Sequence, residues 1–418
     1  MTNIMKYSRL VASIALFAGA FLLVVFHPKE SVRMGRQAEN GRDDDAGLEK
    51  DWFMTQRSYP YADIPRHAFE KMKTTMQAKY ALKNSDRKTV AAAGANWVLQ
   101  GPSNIGGRIT ALLIHPTNEN VIYAGAATGG VWKSTDQGTT WANVFNECFS
   151  IGALAFEPGN PSVIYVGTGE ANPSGVDTYP GNGVWKSTDA GSTWANIGLT
   201  ETGQIGKIIL NPQNPNEVFV AALGLYHSQT TDRGIYKSTN KGATWSQVLY
   251  ISDTTGGTDV VIDPSDSTRV LAAVWTRYRT PHESITSGSE SGIYVSTDAG
   301  NTWARTVSGI PASADLGRIA LTFLPSNPSI VLASAAGISG GVYWGGVYRS
   351  RDHGSTWTHV YSGTSNETQV WYNNIIVVDP SNNGLAWAGM TGMYQTIDTG
   401  ATWFTASSNG AYHVDHHA

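Results

Sequence analysis

An eight-residue phrase, Ser/Thr-x-Asp/Asn-x-Gly-x-Thr-Trp, occurs six times along this chain of 418 residues. The copies are Ser134 to Trp141, Ser187 to Trp194, Ser238 to Trp245, Ser296 to Trp303, Ser350 to Trp357 and, with a threonine start, Thr396 to Trp403. Their closing tryptophans lie 53, 51, 58, 54 and 46 positions apart. A phrase returning at a near-constant period marks a repeat architecture, in which each unit buries its apolar faces against its neighbours.

Two further landmarks return with the octad. Upstream come HPTNENVIYAG from His115, EPGNPSVIYVG from Glu157, NPQNPNEVFVA from Asn211, DPSDSTRVLAA from Asp263, LPSNPSIVLAS from Leu324 and DPSNNGLAWAG from Asp379. Pro and Asn shape a turn, and the apolar run after it reads as a strand. A third strand is written Gly-Val-Trp at Gly130 and Gly183, and Gly-Ile/Val/Met-Tyr at Gly234, Gly292, Gly346 and Gly392. Each period thus reads as inner strand, Pro turn, second strand, loop, third strand, octad turn and outer strand. That is one four-stranded blade, and the fold class is an all-β propeller. The content of 45 Gly, 14 Trp and 18 Tyr with only 15% charged residues suits short strands and tight turns. The blades are expected at about 101–149, 150–203, 204–255, 256–312, 313–368 and 369–411, with another beginning at 412–418. The expected ring is seven-bladed with its last blade truncated; a closed ring of six is the alternative. Trp97 to Gln100 reads as a strand placed to close the ring.

In the octad, Asp136, Asp189, Asp298, Asp352 and Asp398 are expected to accept turn N–H groups, and Trp141, Trp194, Trp245, Trp303, Trp357 and Trp403 to fill the space between sheets. Asn240 stands at the carboxylate position of the third copy, which argues for architecture over metal binding.

Ahead of the repeats, Lys6 and Arg9 precede the apolar run Leu10 to Phe26. Residues 1–26 therefore read as a signal peptide or signal-anchor helix, with the N-terminus in a membrane and the remainder extracytoplasmic, anchored or secreted. Residues 27–95 read as a stalk, polar around Asp43, Asp44 and Asp45, with a helix at 65–83 opened by Pro65; 96–418 is the propeller. Cys148 is the sole cysteine and reads as a small buried hydrophobe. The net charge of -4 gives no support to a nucleic-acid partner. No cofactor and no metal is expected.

The octads are similar to Asp-box repeats, and the span from about Trp97 to Ala418 resembles exported bacterial propellers grouped with the sortilin-type domain, the xyloglucan-cleaving glycoside hydrolases and the sialidases. GPSNIGGRITAL from Gly101 and GGVWKSTDQGTTW from Gly129 look like the opening blade of that bacterial group. The resemblance implies, for its hydrolases, two carboxylates facing each other across a groove, one of them in an Arg-Thr-Asp-x-Gly-Gly phrase before the third strand of the first blade. The matching residues here are Ala126-Ala127-Thr128-Gly129-Gly130, without a carboxylate. Arg108, in Gly107-Arg108-Ile109, does not match the Arg-Ile/Leu-Pro opening of sialidases.

Recognition is expected on the face that carries the longer loops, opposite the Pro and octad turns. Its segments GTGEANPSGVDTYPGNG from Gly167, WTRYRTPHESITSGSES from Trp275 and ISGGVYWGG from Ile338 offer Glu170, Asp177, Tyr179, Trp275, Arg277, Tyr278, Arg279, His282, Glu283, Tyr343 and Trp344. These residues suit either a ligand platform or the packing of long loops. Inner-strand starts bring Arg108, Lys207, Asp259, Arg318, Asn373 and Asp415 toward the axis. Glu170 with Asp259 or Asp415 is the candidate acid pair, which hydrolysis needs roughly 5–9.5 Å apart. His413, Asp415 and His417 alternate onto one strand face away from His416, a buried hydrogen-bonding set in the ring rather than a metal site. The sequence thus points to an exported scaffold that recognises protein or glycan, with a glycoside hydrolase as the alternative.

Overall fold

Four-residue strands such as Val131–Ser134 are too short to stand alone, and the chain solves this by hydrogen-bonding them in fours. The structure, a computed structural model, describes Gln56, Tyr59, His67 and residues 71–76, 78–79, 107–172, 179–279, 284–311, 314–363, 369–382, 384–406 and 416. The leading apolar run, Trp97 to Gln100 and His413, Asp415 and His417 lie outside them. Residues 71–76 and 78–79 are helical, within the expected 65–83. Among the described residues no helix is long and apolar enough to cross a membrane.

Six four-stranded antiparallel sheets follow one another in chain order. The first holds Ile109–Ile114, Ile122–Ala126, Val131–Ser134 and Ala142–Phe145; the second Ile151–Glu157, Asn160–Thr168, Val184–Ser187 and Ala195–Asn196. The third holds Gln204–Leu210, Val218–Gly224, Gly234–Ser238 and Ser246–Leu249. The fourth is built from Thr255–Ile262, Val270–Thr276, Gly292–Ser296 and Ala304–Arg305, with a hairpin of Tyr278–Arg279 and Ser284–Ile285 inserted after its second strand. Leu316–Phe323, Val331–Ser339, Val342–Ser350 and Thr358–Ser362 form the fifth; Ile375–Val378, Ala386–Gly389, Met393–Thr396 and Phe404–Thr405 form the sixth. The inner strands of successive sheets lie side by side, so the architecture is a β-propeller.

Sheets covered on both faces need strands that are apolar throughout, and the second strands meet this: Val218–Gly224 and Val270–Thr276 are buried along their whole length. Between the second and third sheets, for example, Ala153, Tyr165 and Val184 pack against Ile205, Ile208, Val218 and Val220, with Trp245 at the edge. Five octad tryptophans, Trp194, Trp245, Trp303, Trp357 and Trp403, lie between sheets, the last two almost fully buried, whereas Trp141 of the first sheet is exposed.

Each octad closes its turn with side-chain bonds. Asp136 Oδ1 accepts from Ser134 Oγ and from Thr140 N, both at 2.8 Å, and Oδ2 accepts from Thr140 Oγ1 at 2.6 Å. Asn240 does the same through Oδ1 and turns its amide to Thr244 Oγ1 at 2.9 Å, which is why an amide serves there. The threonine bonds hold Asp136, Asp189 and Asp298 down to about 2. A carboxyl whose pKa falls on folding, from the ordinary ~3.9, stabilises the fold above that value and ceases to do so as pH drops toward 2. Thermal melts between pH 5 and 2 are therefore expected to show Tm falling mainly below pH 4; a Tm flat across that window would refute the assignment.

The residue after each octad Asp or Asn is left-handed: Gln137, Ala190, Lys241, Ala299, His353 and Thr399 have φ of 56–59°. This fixes one peptide group between two sheets. Its N–H bonds the Pro turn of its own sheet, as in Ala190 to Ser162 O at 2.8 Å and Lys241 to Asn216 O at 2.9 Å. Its carbonyl accepts from the preceding sheet: Tyr123 Oη at 2.9 Å and Lys133 Nζ at 3.0 Å reach Ala190 O, Tyr165 Oη at 3.2 Å and Lys186 Nζ at 3.3 Å reach Lys241 O, and Lys237 Nζ at 2.7 Å reaches Ala299 O. In the fourth sheet those donor positions hold Leu271 and Val295, and the joint to the fifth is made instead by His353 Nδ1 with the buried Asp263 Oδ2 at 2.6 Å.

Strand extends into two loops expected from sequence. Val270–Thr276 carries the chain through Trp275, and Ile338–Ser339 pair with Val342–Tyr343 in a hairpin turned by Gly340 and Gly341, both at positive φ.

Candidate functional site

The polar centre is assembled from inner-strand starts and the links that enter them. Arg108 precedes the first inner strand; Glu170 follows the second strand of the second sheet and bridges Ile205 of the third. Arg108 Nη2 donates to Glu170 Oε2, and Arg108 Nη1 donates to Tyr372 Oη at 2.8 Å. Glu170 is 1% exposed, and its Oε1 has no hydrogen-bond partner among the described residues. Burial pushes its carboxyl up, against the pull of Arg108 and Arg318. Arg318 Nη1 donates to Tyr372 O at 3.0 Å; burial draws its guanidinium down to about 10 against Asp259 and Glu170. Asp259 is committed to the backbone, accepting from Val260 N and Leu321 N, both at 2.9 Å, with Lys207 Nζ 3.9 Å away. Asn374 Nδ2 ties Arg318 O to Ser334 O at 3.0 and 3.1 Å, and Asn373 is fully buried beside it in the chain. Of the inner-strand set Arg108, Lys207, Asp259, Arg318, Asn373 and Asp415, the structure brings Arg108, Lys207, Asp259 and Arg318 into one polar centre, joined there by Glu170, while Asp415 lies outside the described residues.

Around this centre lies an aromatic layer that holds a cation. Arg277, fully buried, sits 4.6 Å from the Tyr226 ring centroid, 5.0 Å from that of Trp371 and 5.3 Å from that of Trp275. It donates to Tyr226 Oη at 2.5 Å, Ile285 O at 2.8 Å and Ser284 Oγ at 3.0 Å. Ring faces and these acceptors offset desolvation, which still lowers the guanidinium to about 10. Trp275 is equally buried, packs with Ala171, Leu223 and Trp371, and donates to Thr286 O at 2.8 Å. The geometry answers the choice left open by the sequence at these two positions: Trp275 and Arg277 pack the loops and offer no surface to a ligand. Trp275 lies on the strand Val270–Thr276, and Arg277 directly follows its end. Tyr226, Tyr372 and Asn172 were not legible as site residues, because their partners lie 51, 264 and 200 positions away in the chain.

The exposed loop face is aromatic. Tyr179 is 53% exposed, and Phe149 and Tyr250, in links between sheets, are also exposed. Pro180, beside Tyr179, is the far neighbour of Cys148, whose thiol is buried and lies 3.9 Å from Pro180 O. Tyr343 and Trp344 are half-buried on the extended hairpin of the fifth sheet, with the Trp344 ring lying across Gly337. Tyr278 and Arg279 are half-buried on the inserted hairpin. Asp177, His282, Glu283 and Asp415 lie outside the described residues. At the place matched to the hydrolase phrase, Ala127 is buried and Thr128 exposed on the turn before the third strand of the first sheet. Among the described residues no group of three His, Cys, Asp or Glu side chains is placed to hold a metal ion.

Known proteins share this fold. The family model described as "Sortilin, neurotensin receptor 3" matches residues 182–307. A xyloglucanase of Hypocrea jecorina is 24% identical over 363 residues, covering 72% of this chain and 38% of that protein. Xyloglucanase Xgh74A of Acetivibrio thermocellus is 27% identical over 236 residues, covering 49% of this chain and 26% of that protein. The crystal structure of an ancestral GH74 enzyme superposes with a TM-score of 0.54 at 22% identity, covering 74% of this chain and 40% of that one. The chain spans less than half the length of these relatives. The likeness bears out a propeller of the sortilin and xyloglucanase kind.

Proposed function

We propose that this propeller handles a polysaccharide of the xyloglucan class, holding a glycan strand on its loop face. One observation carries the reading: exposed aromatic rings (Tyr179, Phe149, Tyr250) stand on that face, while the axial carboxylates Glu170 and Asp259 are committed to internal bonds. Flat amphipathic rings with few polar neighbours suit sugar faces, and a shallow site of this type binds without requiring cleavage. The names of the xyloglucan-cleaving relatives supply the substrate class. Lys6, Arg9 and the apolar run Leu10 to Phe26 support a location outside the cytoplasm, where such polymers occur.

Affinity electrophoresis against xyloglucan and unrelated glycans tests this. Retardation by xyloglucan is expected, weakened about three- to tenfold by Tyr179→Ala, the effect of losing one aromatic contact of roughly 1 kcal/mol. Absence of retardation by every glycan would overturn the proposal and turn attention to a protein partner. The second reading, a glycoside hydrolase, is favoured by the same relatives. It predicts release of reducing ends that disappears in Glu170→Gln while Tm is kept, and such a result would replace binding by catalysis.

A further inference from the structure

A short helical stretch ahead of the propeller touches it at two points. Lys73 Nζ lies 2.9 Å from Glu147 Oε2 and donates to Asn146 O at 3.4 Å, and His67 Nε2 lies 2.8 Å from Glu201 Oε1. Lys71 N donates to His67 O at 3.0 Å, so both side chains are carried by one helical unit. Glu147 stands in the link from the first sheet to the second, and Glu201 in the link from the second to the third. A single element thus spans both flanks of the second sheet.

Apolar burial does not hold it there. Among the described residues 67, 71–76 and 78–79, His67 and Lys73 alone are half-buried; Met72 is 50% exposed and Met76 46%. None of these residues belongs to a hydrophobic cluster of the propeller. A permanently packed helix buries its apolar stripe, whereas exposed ion pairs hold weakly and are screened by salt. The contact is therefore easily released.

Between the two links lies Tyr179. Gly181 N donates to Gly203 O at 2.7 Å, on the Glu201 side, and Asn182 Nδ2 donates to Glu147 O at 3.3 Å, on the other. The contacts close a circuit that runs from the helix to Glu201, through Gly203 to Gly181 and Asn182, and back through Glu147 to Lys73. Tyr179 and Phe149 stay exposed with the helix in place, so it braces the rings and does not cover them.

We propose that this helical unit is a salt-releasable strap that holds Tyr179 in position, with Glu147 and Glu201 as positioning residues that touch no ligand themselves. Its purpose rests on the glycan-binding reading, while its mechanics rest on contacts within the chain alone. A docked strap orders the ring before a glycan arrives, so strap and glycan strengthen each other's hold, and the linkage is reciprocal.

Hydrogen exchange of the full chain, read by mass spectrometry, tests the mechanics without any glycan. In Glu147→Ala with Glu201→Ala, exchange is expected to quicken about threefold or more at residues 71–79 and at Gly181 and Asn182. Tm should stay within about 2 °C, since both glutamates are exposed. Raising NaCl from about 0.05 to about 0.5 M should quicken the same segments of the unmodified protein. Faster exchange of the helix with Gly181 unchanged, or no change in either, overturns the proposal. Affinity electrophoresis on xyloglucan reads the purpose: the double variant is expected to bind about two- to fourfold more weakly. Xyloglucan should in turn slow exchange at residues 71–79. Tighter binding by the variant, or faster exchange of the helix with xyloglucan present, would make the strap an obstruction and overturns the proposal. If the unmodified protein binds no xyloglucan, the glycan reading fails, while exchange at Gly181 still decides the strap.

Discussion

Replacing Arg108 by alanine is expected to destabilise the propeller by about 3–5 kcal/mol, because it leaves the Glu170 carboxylate buried without its cation. Glu170 is 1% exposed with Oε2 on Arg108, so the guanidinium is what offsets the burial of its charge. The same change releases Tyr372 Oη and loosens the link into the sixth sheet from the start of the first, two segments that meet across the axis. The diagnostic is the double variant. Glu170→Gln in the Arg108→Ala background removes the uncompensated charge and is expected to recover at least about half of the loss, the non-additivity of a coupled pair. Urea denaturation of the four proteins measures this. A single-variant loss below about 1 kcal/mol, or strict additivity, would mean that the pair is solvated.

The second large effect belongs to a glycine. Gly234 opens the third strand of the third sheet at φ +116°, and a Cβ there would lie 1.9 Å from Leu249 O in the adjoining outer strand. Gly234→Ala combines a backbone conformation barred to side chains with a collision against main chain that cannot swing aside, and is expected to cost about 3 kcal/mol or more. Gly340→Ala is the control: its φ is +56° but nothing lies within 4 Å, so about 1 kcal/mol is expected. Equal losses at the two positions would show that backbone conformation alone is responsible. Gly130 and Gly183 repeat the geometry of Gly234, with carbonyls at 1.9 and 2.2 Å.

These glycines show how far the chain can be read without coordinates. Gly130, Gly183 and Gly234 are visible in sequence as the start of a recurrent strand, as the octads are visible as turns, because both are local and repeated. Their cause, the approach of the outer strand's carbonyl, is tertiary. The axial set was half legible: Arg108, Lys207, Asp259 and Arg318 follow from strand starts counted by period. Tyr372 did not, since it meets Arg108 from 264 positions away. Trp275 and Arg277 look like loop residues because their segment is long and polar beyond them. Yet Gly256 pairs with Trp275, and the strand continues inward before the hairpin begins.

At Ala190, Lys241 and Ala299 the joint between sheets is made by a peptide carbonyl, and a peptide carbonyl is present whatever the side chain. Ala190, Lys241 and Ala299 make the same bond with unrelated side chains. Drift at this position over generations therefore leaves the connection intact, so long as the residue tolerates the turn. At these three joints the assembly is carried by the shape of the backbone rather than by the letter at that position.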